Sequence, residues 1–327
     1  MTSIPVADGA ARRAKYGSLL QRQAVLIALA LLILFGALRY ENFLSEYNVL
    51  SVLRYNSMFG LIALGMAFVI MTGGIDLSVG AVAALSSVVA ALVSPQGMLP
   101  AVLAGVAAGA AVGLFNGVVI AKLKILPFVA TLAMLLGARG MALLLAGNKS
   151  VPVSWDSGFT HFGMGDLLGL PIPALVMGAA FILGSLALNF TGFGRYTLAI
   201  GGNEEAARLM GLPVDRITIG VYTLSGTLAG LAGVILASQF GAGQPTEGAG
   251  WELFAIAAVV VGGTLLTGGV GYIGATLSGV LLLGLIFNIL NFENGKGLIS
   301  LSAYWQSVVR GAFLLVVVIL QSRLTRR

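Results

Sequence analysis

The chain has 327 residues, 58% of them hydrophobic and only 9% charged, with 46 glycines and no cysteine. A mean hydropathy of +1.00 excludes a soluble domain, which would expose large adhesive patches, and the missing cysteine excludes disulfides and thiolate metal sites. The net charge of +6 would suit nucleic acid on a soluble surface. Here the basic residues fall where topology signals fall, so membrane lipid is the expected neighbour and no nucleic acid is.

Residues 1–23 are polar and basic and read as a cytoplasmic N-terminal segment. The apolar run that follows, Ala24 to Leu38, lacks a small-residue cleavage site and reads as a first span, not a removed signal peptide. A spanning helix needs about 20 apolar residues to cross about 30 Å of hydrocarbon. Hydropathy places ten such spans, at 24–40, 52–72, 79–94, 99–121, 126–146, 171–190, 217–240, 252–266, 271–292 and 304–321. Strand-like alternation is absent, which argues against an outer-membrane barrel. The expectation is an all-α membrane domain over 24–321 with a short cytoplasmic tail at 322–327.

Charge distribution tests the count. With the N-terminus inside, the cytoplasmic segments carry Arg12, Arg13, Lys15, Arg22, Lys122, Lys124, Arg195, Arg208, Arg216, Arg323, Arg326 and Arg327. Outside lie Lys149 and Lys296, with Arg39 and Arg54 near outer helix ends. That bias fits an even number of spans and both termini in the cytoplasm.

In chain order, the first segment that breaks the apolar monotony is Thr72–Gly80, T-G-G-I-D-L-S-V-G, at the junction of the second and third spans. A carboxylate at a helix centre costs about 2.5–3.5 kcal/mol on insertion scales, so Asp76 is expected at a helix break, capping the third span through the amides of Leu77–Val79. Gly73, Gly74 and Gly80 allow the turn and close packing, and Ser78 lies beside the acid. The alternative is a cation or proton site of the kind secondary transporters use. The external connection 147–170 is long enough to hold a small element and contains the single histidine, His161, read as a surface residue.

The cytoplasmic loop 191–216 contains I-G-G-N-E-E-A-A-R-L-M-G at Ile200–Gly211. Asn203 is placed to cap a short helix. Glu204 and Glu205 complement its positive end, Arg208 its negative end, and Gly211 with Pro213 ends it. Ala206 and Ala207 would let such a helix lie close against a partner. Without a partner it would be an amphipathic interfacial helix. Further on, the span at 252–266 is interrupted by Gly262 and Gly263 and followed by Gly268 and Gly269, which predicts a break near the cytoplasmic side. Such a break serves either tight packing or a gate.

Polar residues inside spans either bond between helices or line a hydrophilic route. Those named for a route are Asn56, Asn116, Ser238, Gln239 and Asn288; Arg139 and Arg310 also lie inside spans, where each either pairs with an acid at a helix end or snorkels to the interface. No G-x-x-x-x-G-K-[ST] loop and no Ser/His/Asp arrangement is present, so no catalytic residue or cofactor is assigned to this chain.

Together these segments resemble the permease subunits of bacterial ABC importers for monosaccharides, the ribose, xylose and galactofuranose group. The resemblance runs from about Phe43 to Gln321. It is carried by G-G-I-D-L-S-V-G at Gly73–Gly80, K-I-L-P-F-V-A-T-L at Lys124–Leu132, I-G-G-N-E-E-A-A-R-L-M-G at Ile200–Gly211, which contains the E-A-A-x-x-x-G pattern of such permeases, and V-G-G-T-L-L-T-G-G-V-G at Val261–Gly271. The I-L-N-F-E at Ile289–Glu293 looks most like a galactofuranose-type permease. The resemblance implies ten helices per subunit, pairing with an identical or paralogous permease, and a periplasmic sugar-binding protein. It also implies ATPase subunits that hold the ATP and magnesium, with Asn203–Gly211 as the helix that couples to them. One departure stands out, because relatives commonly carry an acid where this chain has Phe254. Two rivals stay open at this point: the same machinery carrying branched-chain amino acids or a signalling furanose, and a cation-coupled transporter using Asp76.

Overall fold

The computed structural model describes residues 25–295 together with Trp305, Val308, Gly311 and Ala312. The segment 1–23, the tenth span at 304–321 with Arg310, and the tail 322–327 lie outside the described residues, apart from those four positions.

Among the described residues, seven stretches are long and apolar enough to cross a membrane. They are α2 (Glu46–Met71), α3 (Val79–Val93) with the 3-10 turn Ser94–Gln96, α4 (Met98–Leu123), α5 (Pro127–Ala146), α7 (Ile172–Phe190), α10 (Val214–Phe240) and α12 (Ile273–Gly295). Each coincides with an expected span. The helix α2 starts earlier than hydropathy placed it, because Glu46, Asn48 and Arg54 dilute its outer end while Ser45 Oγ caps it by accepting the Asn48 amide. The helix α1 (Val25–Arg39) is shorter.

The expected eighth span is corrected. The helix α11 (Trp251–Val261) has 11 residues, about 16 Å at 1.5 Å per residue, half of what a crossing needs. It stops at Gly262-Gly263, where Gly263 has φ of +86°, and the chain stays irregular to α12.

Packing follows from side-chain size. The helix α2 is buried from Asn56 to Met71 and forms the centre of the core with α3, α10 and α11. Along α4, Gly105, Gly109, Gly113 and Gly117 are spaced by one helical turn and face α10. A Cβ on Gly109 would strike the backbone of Gly226 and Gly230. In lipid, where apolar surface gains nothing by leaving the solvent, such close backbone approach is what holds helices together. The outer faces of α4, α5 and α7 carry exposed Leu103, Leu136, Ile182 and Leu183, which suits lipid.

The connection between α5 and α7 holds more than a loop. The strand β1 (Val151–Pro152) pairs antiparallel with β4 (Ala242–Gly243). A short helix α6 (Phe159–Met164) follows, and β2 (Asp166–Leu167) and β3 (Leu170–Pro171) form a hairpin. Its two-residue turn, Leu168-Gly169, has positive φ at both positions, as a tight hairpin turn requires. Arg54 of α2 ties this cap down through Asp166 at 2.6 Å.

Candidate functional site

At one end of the bundle, α8 (Gly192–Gly202) and α9 (Glu204–Leu209) fill the connection between α7 and α10. Asn203 is extended, and its Oδ1 accepts the Ala206 amide at 2.9 Å, one of the donors a helix start leaves unpaired. Gly211 has φ of +78°, and the Leu212 amide returns to the Ala207 carbonyl at 3.1 Å, closing the helix on itself. Arg208 donates to Glu204 at 2.8 Å and to Asp215 at 3.0 Å. Those bonds, Glu204 first, push the pKa of Arg208 up, so it stays charged at physiological pH.

The direction in which the alanines point corrects the sequence expectation. Ala207 is fully buried against the permease itself and Ala206 is half-buried. The small side chains therefore seat α9 on its own subunit. The face left outward holds Glu205, Leu209 and Met210, the last two 85% and 70% exposed.

Asp215 was not picked out by sequence, yet it gathers three cations from three places. Besides Arg208 it accepts Lys122 of α4 at 3.1 Å and Lys124 of the α4–α5 turn at 3.0 Å. Lys122 and Lys124 stood only as markers of sidedness. An acid in the first turn of α10 amid basic residues was the signal available.

The glycine breaks converge directly above α9. Gly269 donates its amide to the Met71 carbonyl at the end of α2 at 3.0 Å. A Cβ on Gly268 would lie 2.7 Å from the Gly73 nitrogen and 3.0 Å from Gly201. One on Gly269 would press on Gly202, and one on Gly201 would strike the Met71 carbonyl and the Gly269 nitrogen. Gly262 packs on Ala275 of α12 in the same way. The Thr72–Gly80 and Gly262–Gly269 motifs thus meet at the C-terminal end of α8, one residue before the α9 cap.

Deeper in, Asp76 is buried and accepts three hydrogen bonds: the Ser78 amide at 3.0 Å, the Ser78 hydroxyl at 2.6 Å and the Ser225 hydroxyl of α10 at 2.9 Å. Asn116 of α4 extends the cluster to Ser78 Oγ at 3.0 Å. Asp76 therefore reaches one of the three amides expected, and its second oxygen ties α10 to the turn. Gly74 lies against the Tyr222 hydroxyl, and Gly80 against Gly248.

The other polar residues named for a route are spread through the bundle. Asn56 bonds back to the Val52 carbonyl and faces Gly284 of α12. Ser238 is buried between the Phe159 carbonyl and the Gly163 amide of α6. Gln239 reaches the Arg54 carbonyl at 3.1 Å, and Asn288 exchanges amide bonds with Asn48 at 2.8 and 3.2 Å. Asn56 thus bonds within α2, whereas Ser238, Gln239 and Asn288 bond to other elements. Phe254 stacks on Phe59 at 4.6 Å and Phe287 at 5.8 Å between ring centroids. The I-L-N-F-E stretch clamps α12 to the outer end of α1, with Phe292 against Tyr40 and Phe43 and Glu293 accepting Tyr40 Oη at 2.6 Å.

Comparison with known proteins identifies what carries this arrangement. The model of the family described as branched-chain amino acid transport system / permease component matches residues 48–318. The chain belongs to this permease family. It is 42% identical over 315 residues to the ribose import permease protein RbsC of Bacillus subtilis, covering 95% of this chain and 96% of that one. It is 41% identical over 313 residues to RbsC of Escherichia coli K12, covering 93% and 94%. Against the L-arabinose transport system permease protein AraH of E. coli K12 it is 39% identical over 325 residues, covering 98% and 96%. No solved structure matches. The permease is a multi-pass protein of the inner membrane and its family is not itself catalytic.

Proposed function

We propose that this permease is the membrane subunit of an ABC importer that carries a monosaccharide inward, driven by separate ATPase subunits. The observation that carries the reading is the exposed, doubly capped α9 seated one residue from the point where the breaks at Met71–Gly73 and Gly268–Gly269 meet. A push on Glu205, Leu209 and Met210 has a short rigid route to both broken elements. Closure of the ATPases, which bind the ATP and magnesium, moves α9, and the bundle opens outward to take sugar from a periplasmic binding protein. The complete subunit has ten helices with both termini in the cytoplasm and pairs with a second permease, identical or paralogous.

The relatives named above favour a pentose over a branched-chain amino acid. A galactofuranose-type cargo rests on Ile289–Glu293 alone, and that stretch has a packing role in joining α1 to α12. Ribose and arabinose are therefore the first sugars to test.

Purification in mild detergent with the proteins encoded around it is expected to bring down an ATPase and a binding protein. Reconstituted with them, the permease takes up sugar only with ATP. Uptake driven by a proton or sodium gradient without any ATPase would overturn the reading. Glu205→Arg or Gly211→Trp is expected to abolish uptake while the permease stays folded; unchanged uptake with normal ATPase co-purification removes α9 as the contact.

A further inference from the structure

Between α10 and α11 the chain runs G-A-G-Q-P-T-E-G-A-G, residues 241–250, with only the two-residue strand β4 in it. It descends into the membrane. The Gln244 amide donates to Ser87 Oγ in the middle of α3 at 3.0 Å, and Gly248 packs on the backbone of Gly80. From Ser87 to Gly80 is about 10 Å of helical rise. Gly233 of α10 packs on Ala83 of α3, which sets Gly80 near the middle of the 27-residue α10. The segment thus reaches the centre of the bilayer, and α11 starts there.

Its backbone is held by a charge. Arg139 lies well inside α5, and its Nη1 donates to the Pro245 carbonyl at 2.6 Å and the Glu247 carbonyl at 2.5 Å. Glu252 accepts the Gly250 amide at 3.2 Å. Thr246, Glu247, Ala249 and Gly250 are nevertheless exposed. Irregular backbone at this depth is tolerated only where protein buries it or water wets it, and an ionisable group facing lipid is costly. Lipid is therefore excluded as its neighbour. A second copy related by a twofold axis would set the same acid-bearing surface against itself, and the cores of such interfaces are depleted of charge. A water-filled route is what remains. Trp251, directly after the segment, packs on Phe59 at 4.9 Å, and Phe59 on Tyr55 at 5.4 Å between ring centroids; Tyr55 is 46% exposed. A carboxylate and a hydroxyl on a segment that leads into a row of rings ending in an exposed tyrosine match a sugar, whose hydroxyls need acceptors and whose C–H faces lie on aromatic rings.

We infer that the re-entrant segment is a substrate-contacting wall of the translocation path. Glu247 and Thr246 hydrogen-bond the passing monosaccharide, Tyr55 packs on its apolar face, and Arg139 is a positioning residue that holds the segment at depth. This rests on the sugar-importer reading.

The chain has no cysteine, so single cysteines report without background. In membranes holding the complete transporter, Thr246→Cys and Glu247→Cys are expected to react with a membrane-impermeant trimethylammonium methanethiosulfonate. Leu183→Cys, on the outer face of α7, stays unreactive. Saturating ribose or arabinose with binding protein slows the reaction several-fold. Glu247→Gln raises the KM for uptake several-fold with ATP hydrolysis retained. Arg139→Gln lowers uptake and, combined with Thr246→Cys, alters the labelling rate of that thiol; Arg139→Lys restores both. If Thr246→Cys and Glu247→Cys are as inert as Leu183→Cys both with and without ATP, or react at a rate the sugars leave unchanged, the wall assignment is wrong. The labelling contrast needs no transport, so wild-type complex that moves no sugar refutes the importer reading separately.

Discussion

The Gly269 amide donates to the Met71 carbonyl at 3.0 Å, a bond that joins two helix breaks almost 200 positions apart in sequence. Met71 ends α2, Gly269 belongs to the irregular stretch after α11, and Gly201 of α8 presses on both atoms. The contact thus joins the end of α2, the end of α8 and the stretch after α11.

Gly201 is the position where that contact is most easily broken. A Cβ there meets the Met71 carbonyl with no room to yield, and overpacking of this kind costs about 1–3 kcal/mol. Gly201→Ala is expected to lower the thermal midpoint and to cut sugar uptake per ATP hydrolysed in proteoliposomes. Gly202, with nothing within 4 Å of its Cβ position, is the control. Gly202→Ala is expected to leave the ratio unchanged, and an equal loss in both variants would show that the close contact has no special part in transmission.

Asp215 gathers Lys122, Lys124 and Arg208 at a half-exposed surface. Exposed pairs are worth about 0.2–1 kcal/mol each and are screened by salt. Asp215→Asn should therefore change stability little but release α9 from the ends of α4 and α5. Coupling of uptake to hydrolysis is expected to drop several-fold at low ionic strength, with wild type converging on the variant as salt is raised. A variant that matches wild type at low salt would mean the cluster marks sidedness only.

How far the sequence could be read depended on whether a signal was local. The cap at Asn203, the stop at Gly211 and the turn at Gly73 each depend on neighbours within a few residues, and all three were legible. So were seven spans, because in each the apolar residues outweigh the few polar ones, such as Arg54 in α2 and Arg139 in α5. The eighth misled because hydropathy sums the side chains from Glu252 onward across Gly262-Gly263 without registering that the helix stops there. Asp215, the Gly201 contact and the inward face of Ala207 depend on residues brought together from distant segments. Nothing in the local pattern distinguishes an alanine facing its own subunit from one facing a partner.

Asp76 separates a structural acid from a coupling one. Its three donors suit an acceptor, and Asn keeps one carbonyl acceptor of the two oxygens. Asp76→Asn is expected to retain ATP-driven uptake with a lowered thermal midpoint. Asp76→Leu leaves Ser225 and the Ser78 amide without partners, at about 1–3 kcal/mol for each buried group, and should fail to accumulate in the membrane. Tryptophan fluorescence on heating gives the stability comparison. Full stability of Asp76→Asn together with complete loss of transport would instead make the carboxylate part of the transport cycle.

Phe59 and Phe254 face each other with ring centroids 4.6 Å apart, at the position where the resemblance led us to expect an acid. Placing that acid alone, as Phe254→Asp, would set a carboxylate against Phe59 and Phe287, and a buried unpaired charge is strongly destabilising. Replacing Phe59 by Asn supplies an amide donor on the facing turn of α2. Phe254→Asp is therefore expected to lower the thermal midpoint sharply, and Phe59→Asn moderately by lost ring contact. The double variant should recover part of the loss, with a coupling energy of about 0.5–3 kcal/mol. A double-mutant cycle on the purified permease measures it. Additive losses would mean that the two positions do not form one pair, and that the aromatic residue at 254 answers to Phe287 of α12 instead.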